Sequence, residues 1–219
     1  IISLTSYFAL MILGFAFFSV KSSYYKHDAN DLYVLMKNKD VRYSNKTTIS
    51  SIDTLFEDDN TILHLSIIND RPELFKIIMN QSNTQTIIDQ PNAKNETPLL
   101  LATTRSNPLF ATTLINMGAK INLGHGDQYP IHNAVRHNQT ETLALLIEKN
   151  VDISVTDRDQ NTVLHLSMQN EDIFKQIMNH SNIKNIINNK NSEKKTPLYL
   201  GLEHNALNIT KRIMAEGAD

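Results

Sequence analysis

The chain contains no cysteine and no tryptophan among its 219 residues. Without cysteine it can have no disulfide framework, no thiol nucleophile and no metal site built from thiolates. Its formal net charge is −2 at pH 7, which gives no electrostatic case for binding nucleic acid, since that requires a basic stripe. Glycine and proline are also scarce, with six of each. These absences exclude several kinds of functional site.

Sequence motifs for catalysis are missing as well. We find no glycine-rich phosphate loop, no Gly-x-Ser-x-Gly nucleophile elbow and no Cys/His pair. Acidic residues cluster at 57–59 and at Asp157 and Asp159, where solvated turns explain them better than acid–base chemistry. His132 and His137 are five residues apart, which is not the i, i+4 spacing of a helical zinc pair. The sequence therefore predicts no enzyme activity, no cofactor and no metal site.

What the chain does contain is a repeated apolar tetrad. Five copies begin at residues 61, 97, 129, 162 and 196, spaced by 36, 32, 33 and 34 residues. Threonine followed by proline at the start of an apolar run is typical of a helix N-cap and the first helical position. A period of about 34 residues indicates stacked helical repeats. The copies are Thr61-Ile62-Leu63-His64, Thr97-Pro98-Leu99-Leu100, Tyr129-Pro130-Ile131-His132, Thr162-Val163-Leu164-His165 and Thr196-Pro197-Leu198-Tyr199.

Each tetrad predicts the first of two short helices. About a dozen residues later a second apolar set follows with the spacing of one helix face, as in Leu74, Phe75, Ile78 and Met79. Turn-forming residues separate the two sets, and Gly or Asn ends the second, as a left-handed C-cap requires. A small residue in register in every copy indicates close packing between helices: Ser66, Ala102, Ala134, Ser167 and Gly201.

This pattern resembles the ankyrin repeat, in which a hairpin precedes Thr-Pro-Leu-His, an inner helix, a bend, an outer helix and Gly-Ala. The resemblance covers residues 57–219 and implies an all-α ankyrin-type solenoid of about five repeats. The units would span about 57–92, 93–124, 125–156, 157–190 and 191–219. The resemblance also implies that His64, His132 and His165 are structural and bridge neighbouring hairpins.

Two features depart from the simple pattern. The hairpin glycine of the family is replaced in every unit, and the last two replacements, Gln160 and Lys194, tolerate positive φ poorly. We therefore expect the last two hairpins to be distorted or less stable. In addition, residues 60–80 recur at an offset of about 100, each copy followed by a lengthened connection. This indicates a duplicated block of three units and predicts at least one further unit after Asp219.

The first 56 residues are predicted to form two other segments. Residues 1–20 carry no charge and are mostly apolar, which predicts an N-terminal hydrophobic helix in a membrane or translocon. It fits either an uncleaved anchor or a cleaved signal peptide, and a helix buried in the array is the third option. We expect a membrane-associated or exported protein, with a cytoplasmic one as the alternative. Residues 21–56 read as a polar tether, with a possible helix at 29–37 and a partial cap formed by Ile49, Ile52, Leu55 and Phe56.

The resemblance implies a function in protein binding, because ankyrin-like arrays bind partners on a concave face. The exposed positions carry both signs of charge, which favours a folded protein or peptide over nucleic acid. We expect the array itself to be monomeric. Arg136 and Arg105 are the strongest candidates, since Arg is enriched at interface hot spots. The alternative is a recognition module of a larger enzyme or channel. The candidate partner-binding residues are Ile68, Asn69, Thr104, Arg105, Arg136, His137, Gln169, Asn170, Glu203 and His204.

Overall fold

The computed structural model describes residues 26–28, 48–50, 52–124 and 128–218. The hydrophobic segment 1–20 and the possible helix at 29–37 lie outside these residues. Strands β1 (Lys26–Asp28) and β2 (Thr48–Ser50) pair in parallel, with Lys26 opposite Thr48. The sequence predicted only a tether here, because three residues are too few for an alternating pattern to show.

The remainder of the described chain is helical and consists of five consecutive helix pairs, as predicted. Within each pair an inner helix (odd number) is followed by an outer helix (even number). Three short 3₁₀ helices lie at Glu57–Asp59, Thr84–Thr86 and Ile183–Asn185. The α-helices are α1 (Ile62–Ile68), α2 (Pro72–Met79), α3 (Pro98–Ala102), α4 (Pro108–Asn116), α5 (Pro130–Arg136), α6 (Thr140–Glu148), α7 (Val163–Leu166), α8 (Glu171–Met178), α9 (Pro197–Glu203) and α10 (Leu207–Ala215).

The inner helices begin where the tetrads predicted. The hydroxyls of Thr97 and Thr196 accept hydrogen bonds from backbone N–H groups three residues later, at 3.2 Å each. Proline then occupies the first helical position, where its missing N–H costs nothing. Tyr129 replaces threonine and makes no side-chain cap, yet α5 still begins at Pro130. Proline and burial are therefore sufficient to start that helix.

The helix pairs stack on their sequence neighbours. Each inner helix packs against the next inner helix, and each outer helix against the next outer helix. Between them lies one continuous apolar core, in which Phe75 meets Phe110 edge-on at 4.9 Å between ring centroids. The small residues in register are all buried, and at Gly201 an added Cβ would lie 3.0 Å from the Thr210 hydroxyl oxygen. Close helix packing at these positions is confirmed.

The hairpins keep the left-handed conformation without glycine. Asn95, Gln160 and Lys194 have φ of 57°, 57° and 62°. Our expectation of distortion in the last two hairpins was wrong, because a carboxylate or amide holds each of those loops. Asp157 Oδ1 accepts from the N–H groups of residues 159 and 161, and Asn191 Oδ1 accepts from those of 193 and 195, at 2.8–3.1 Å. Asp127, in the third hairpin, lies outside the described residues.

The lengthened connections and the N-terminal cap also contribute to the core. Ile87 and Ile186, at equivalent positions of the two connections, are completely buried. Ile52 is 1% exposed and Phe56 packs against the core, whereas Leu55 is 46% exposed. Part of the predicted cap therefore covers the first unit. No helix in the described ranges is long and apolar enough to cross a membrane.

Two of the three tetrad histidines connect one unit to the next, as the resemblance implied. His64 Nδ1 accepts from Thr61 N–H (3.2 Å), so its Nε2–H is free to donate to the Glu96 carbonyl in the next hairpin (3.0 Å). His165 repeats this arrangement with Thr162 N–H and the Lys195 carbonyl, both at 3.2 Å. Burial lowers the pKa of both histidines below the ordinary value, against a smaller opposing effect of the carbonyl bond.

We predict that acid destabilises the array through these two histidines. The pKa values of both histidines are lower in the folded chain than in the unfolded chain. Below about pH 6.5 the unfolded chain therefore binds more protons than the folded chain. The free energy of unfolding should fall as the pH drops from about 6.5 towards the folded-state pKa values. The prediction is tested by measuring the free energy of unfolding in urea at pH values between 7.5 and 5. The double variant His64→Gln/His165→Gln should flatten the pH dependence, while the exposed control His137→Gln should retain it. Equal slopes in all three proteins would contradict the assignment.

We also predict that Lys194→Gly stabilises the array by about 0.5 to 1 kcal/mol, because it removes the cost of a left-handed non-glycine residue. Ser192→Gly in the same hairpin is the matched control, since Ser192 is not among the positive-φ residues and glycine there only adds unfolded-state entropy. Urea midpoints of the two variants should therefore move in opposite directions. A lower midpoint for Lys194→Gly would show that the lysine side chain stabilises the hairpin.

Candidate protein-interaction surface

The predicted partner-binding residues lie in a row across the stack. We call this row the inner-helix face; it consists of two residues at the end of each inner helix or just after it. Because the inner helices pack side by side, these ends follow one another from the first unit to the fifth. Three members, Ile68, Arg105 and Asn170, are half-buried. The seven exposed members are Asn69, Thr104, Arg136, His137, Gln169, Glu203 and His204.

The structure brings several of these residues together across unit boundaries. The Asn170 amide donates to Asn138 Oδ1 of the preceding unit at 2.7 Å, while its own Oδ1 caps α8. Gln169 Nε2 and His204 Nε2 are 3.4 Å apart and connect the fourth unit to the fifth. The C-terminal half of the inner-helix face is therefore tied together by side chains.

Arg136 has a structural partner that the sequence did not reveal. Its guanidinium donates to Asp157 Oδ2 at 2.5 Å, and the Asp157 side chain is only 3% exposed, against 38% for Arg136. The other oxygen of Asp157 holds the fourth hairpin. The ion pair thus fastens the end of α5 to the next hairpin, and the charge of Arg136 is already compensated. Contact between Arg136 and a partner stays a prediction.

Arg105 also belongs to a junction between units. Its Nε is buried, and its backbone carbonyl accepts from the Gln139 side chain. The same Gln139 Nε2 donates to the Thr103 carbonyl at 3.0 Å. Sequence reasoning missed Gln139, because a single glutamine in a turn gives no periodic signal. The Arg105 side chain is less accessible than expected from sequence.

At the fifth unit the charged member of this face, Glu203, pairs with a lysine of its own unit. Lys195 Nζ lies 3.0 Å from both carboxylate oxygens of Glu203 and 2.9 Å from Glu193. The bond to Glu193 has the largest effect on the pKa of Lys195, and the bonds to Glu203 come next. Both raise this pKa above its ordinary value. The ammonium also lies 5.5 Å from the centroid of the Tyr199 ring. Glu203 is therefore a surface ion-pair partner within its own unit.

The hairpin tips border this face and carry both signs of charge. Asp58, Lys94, Arg158 and Asp159 are exposed, and Lys195 is half-buried. Side chains behind the tips hold the hairpins together in a way that sequence reasoning missed. Asn92, Asp157 and Asn191 each stand five residues before a tetrad threonine, and the Asn92 and Asn191 amides donate to Asn60 and Asn161 of the preceding hairpin at 3.1 and 2.9 Å. This shared offset of five residues is a sequence signal by which they could have been identified.

The chemistry offered by this surface suits binding. It presents amides, imidazoles, a hydroxyl and mostly compensated charges. Within the described ranges no three His, Asp or Glu residues are grouped as they would be to hold a metal ion. His132 is buried and lies edge-on to Tyr129, with 5.8 Å between ring centroids. The exposed amides, imidazoles and hydroxyl of this surface can form hydrogen bonds to a polar molecule.

Comparisons with known proteins agree with the fold. A family model of ankyrin repeats, in three copies, matches residues 130–219. The chain is 27% identical over 170 residues to the nuclear factor NF-kappa-B p105 subunit of Gallus gallus, and the match covers 76% of this chain but 14% of that protein. The chain therefore spans only a small part of that relative.

Among solved structures, the ankyrin repeat domain of Bcl-3, a unique member of the IkappaB protein family, has the same fold. The TM-score is 0.60 at 17% identity, and the match covers 74% of this chain and 72% of that one. The helix pairs over residues 62–116 lie outside the family-model match. They have the same arrangement of an inner and an outer helix as the pairs within residues 130–219. The stacked helix pairs and the likeness to this structure show an ankyrin repeat fold, and residues 130–219 match the family model of ankyrin repeats.

Proposed function

We propose that this protein is an interaction scaffold that binds a folded protein or peptide through the inner-helix face and the bordering hairpin tips. Ankyrin repeats are protein–protein interaction modules, and the proposal concerns which surface of this array is used. The observation that carries it is the row of seven exposed residues. Side-chain hydrogen bonds connect the units on which the later members of this row lie. A pre-organised surface loses little entropy when a partner binds.

The outer helices support the choice of the inner-helix face by contrast. Several of their exposed charges pair with a residue four positions away, as in Lys175 with Glu171 at 3.0 Å and Arg212 with Glu216 at 3.4 Å. Such i, i+4 pairs are typical of a solvated helix surface. The inner-helix face instead varies in residue type from unit to unit while its flanking core positions stay apolar. Variation at fixed positions is what a recognition surface requires.

The partner chemistry follows from the charges of this surface. The accessible members are neutral amides, a hydroxyl and imidazoles, and the charged members Arg136 and Glu203 already have partners. A surface of this kind matches a polar protein or peptide surface with hydrogen-bonding groups at its centre. It offers no cationic stripe for a polyanion.

We further propose that residues 1–20 place the array at a membrane or direct its export. The support is the uncharged, apolar composition of these residues. The alternative is a recognition module of a larger enzyme or channel; in the p105 relative the matched region is 14% of the whole protein. In both cases the array supplies the binding step.

The face is tested by site-specific photo-crosslinking in cells that express the protein. A crosslinking amino acid at Thr104, His137 or Gln169 should capture one common protein, identified by mass spectrometry. The same amino acid at the outer-helix positions Ala144 and Lys211, which are also exposed, should not capture it. Capture from the outer positions only would contradict the proposal.

Substitutions should then separate binding from folding. We predict that His137→Asp weakens binding of the purified partner by at least about tenfold, since a charge at a central polar contact costs over about 1.4 kcal/mol. Its melting temperature should change little because His137 is exposed. Arg136→Gln is the structural control. It should lower the free energy of unfolding by about 1 kcal/mol, because the buried Asp157 carboxylate loses its partly exposed ion-pair partner. Unchanged binding by His137→Asp would remove that residue from the face.

The location is tested by fractionating cells that express the full chain or a chain lacking residues 1–20. We predict that the full chain sediments with membranes or enters the secretory route, and that the shortened chain remains soluble. Alkaline carbonate extraction distinguishes an anchor, which stays in the pellet, from a cleaved signal, which is released. Identical fractionation of the two chains would contradict this proposal and leave the binding proposal intact.

A further inference from the structure

The bend between the two helices of the fourth unit is shorter than the bends of the other four described units. In those units the outer helix begins 11 residues after the tetrad, as at 72 and 61 or at 207 and 196. In unit four Glu171 follows Thr162 by only 9 residues. The inner helix α7, with four residues, is also the shortest of the described inner helices. Two residues are therefore missing where the chain passes from the inner to the outer helix.

The backbone of this bend follows a different path. In units one, three and five a residue with a left-handed φ of 48–54° turns the chain: Asp70, Asn138 and Asn205. The next residue then donates its N–H to the carbonyl five positions earlier, at 2.8–2.9 Å. In unit four the Asn170 N–H reaches only three positions back, to the Ser167 carbonyl at 3.0 Å. The bend of unit four is therefore tighter and covers less of its neighbour.

A cleft lies between this short bend and the fifth unit. Its volume is about 540 Å³, within the range of about 300 to 1,000 Å³ that is typical of ligand sites. Met168 and Ile209 line it and are 1% and 5% exposed, so they form an apolar floor. One wall is the bend of unit four, and the other is the bend of unit five with the start of α10. The cleft is thus built where two units meet.

Amide groups surround the apolar floor. Gln169, Asn205 and Asn208 line the cleft and are exposed. Each primary amide offers a donor and an acceptor, which is the combination that a peptide group also presents. Among the described residues that line the cleft, Glu171 alone is an acid or a strong base, and its carboxylate already pairs with Lys175 at 3.0 Å. The lining therefore suits an uncharged segment with one apolar side chain and hydrogen-bonding main-chain groups.

The cleft connects two surfaces of the array. At one end lie Gln169 and His204, two members of the inner-helix face, whose contact of 3.4 Å is longer than the ordinary range of about 2.7 to 3.2 Å. At the other end the cleft shares Glu171, Asn208 and Ile209 with a groove of about 350 Å³ between α8 and α10. An elongated occupant fits this path better than a compact one.

We propose that the cleft between units four and five binds an extended peptide segment of the protein partner, which places one large apolar side chain on Met168 and Ile209. The amides of Gln169, Asn205 and Asn208 bond to the main chain of that segment. The inference rests on the proposed function, because it names the part of the partner that anchors it beside the inner-helix face. Continuity with that face and the compensated charge of the lining carry the assignment.

The probe is a library of random linear heptapeptides displayed on phage and selected against the immobilised full chain in detergent micelles. Enriched peptides are then synthesised, and their Kd for each variant is measured by fluorescence polarisation. We expect these peptides to share one large apolar residue. Asn208→Trp places a large side chain in the cleft and should weaken their binding by at least about tenfold. Asn208→Ala, which leaves the cleft open, should weaken it less.

Glu141→Trp is the matched control. Glu141 is the second residue of α6, as Asn208 is of α10, and it is exposed but does not line the cleft. The same large side chain at this position should leave the Kd of the peptides unchanged.

A second variant tests whether the short bend creates the site. Insertion of a His-Asn dipeptide after Gln169 copies residues 204–205 and restores the spacing of the other units. Its helical circular dichroism should match that of the unmodified chain, and it should lose peptide binding by the same factor as Asn208→Trp. If the inserted chain does not fold, the comparison of Asn208→Trp with Glu141→Trp decides the question.

Three results would overturn the cleft proposal: no enriched peptides, a shared charged residue in place of the apolar one, or equal binding to Asn208→Trp and the unmodified chain. Its failure is distinct from failure of the proposed function. If His137→Asp weakens binding of the crosslinked partner while Asn208→Trp leaves it unchanged, the inner-helix face stands and the cleft proposal fails. Peptide binding that Asn208→Trp removes, with no protein crosslinked from the inner-helix face, would support the cleft and contradict the role of that face.

Discussion

Stacking of each helix pair on the next is the interaction on which this structure depends. A unit of about 34 residues cannot bury its apolar surface by itself, and a neighbouring unit with the same periodicity covers it. The core is therefore a chain of similar interfaces, marked by the buried Phe75–Phe110 contact at one end and the exposed Leu202 at the other. Stability, surface exposure and the direction of the chain all follow from this constraint.

Polar side chains make the stacking specific. His64 and His165 are buried, and each donates its Nε2–H to a carbonyl of the next hairpin, so this ring N–H has a partner away from water. Asn92 and Asn191 hold their own hairpins and also reach the preceding one. Because these groups satisfy one another only when the units are in register, they exclude slipped packing. The same bonds fix the hairpin tips that border the inner-helix face.

The inner-helix face illustrates why binding candidates need three dimensions. Ten residues were selected because they vary between units, and the row that they form was foreseeable from the period alone. Their individual states were not. Arg136 and Glu203 are paired with Asp157 and Lys195, while His137 is exposed. A salt bridge across 21 residues depends on how one unit's helix end meets the next unit's hairpin, and no local pattern encodes that distance.

The sequence by itself determined the helix pairs, their caps, the small residues in register and the stack, because these depend on local hydrogen bonding and on a period that every unit repeats. It did not indicate that Gln160 and Lys194 keep left-handed hairpins, since Asp157 and Asn191 hold those loops through side-chain bonds. Only the tertiary structure decided which polar residues were already paired and which apolar ones, such as Leu202, were left uncovered. Those properties belong to contacts between units, where residues distant in the chain meet.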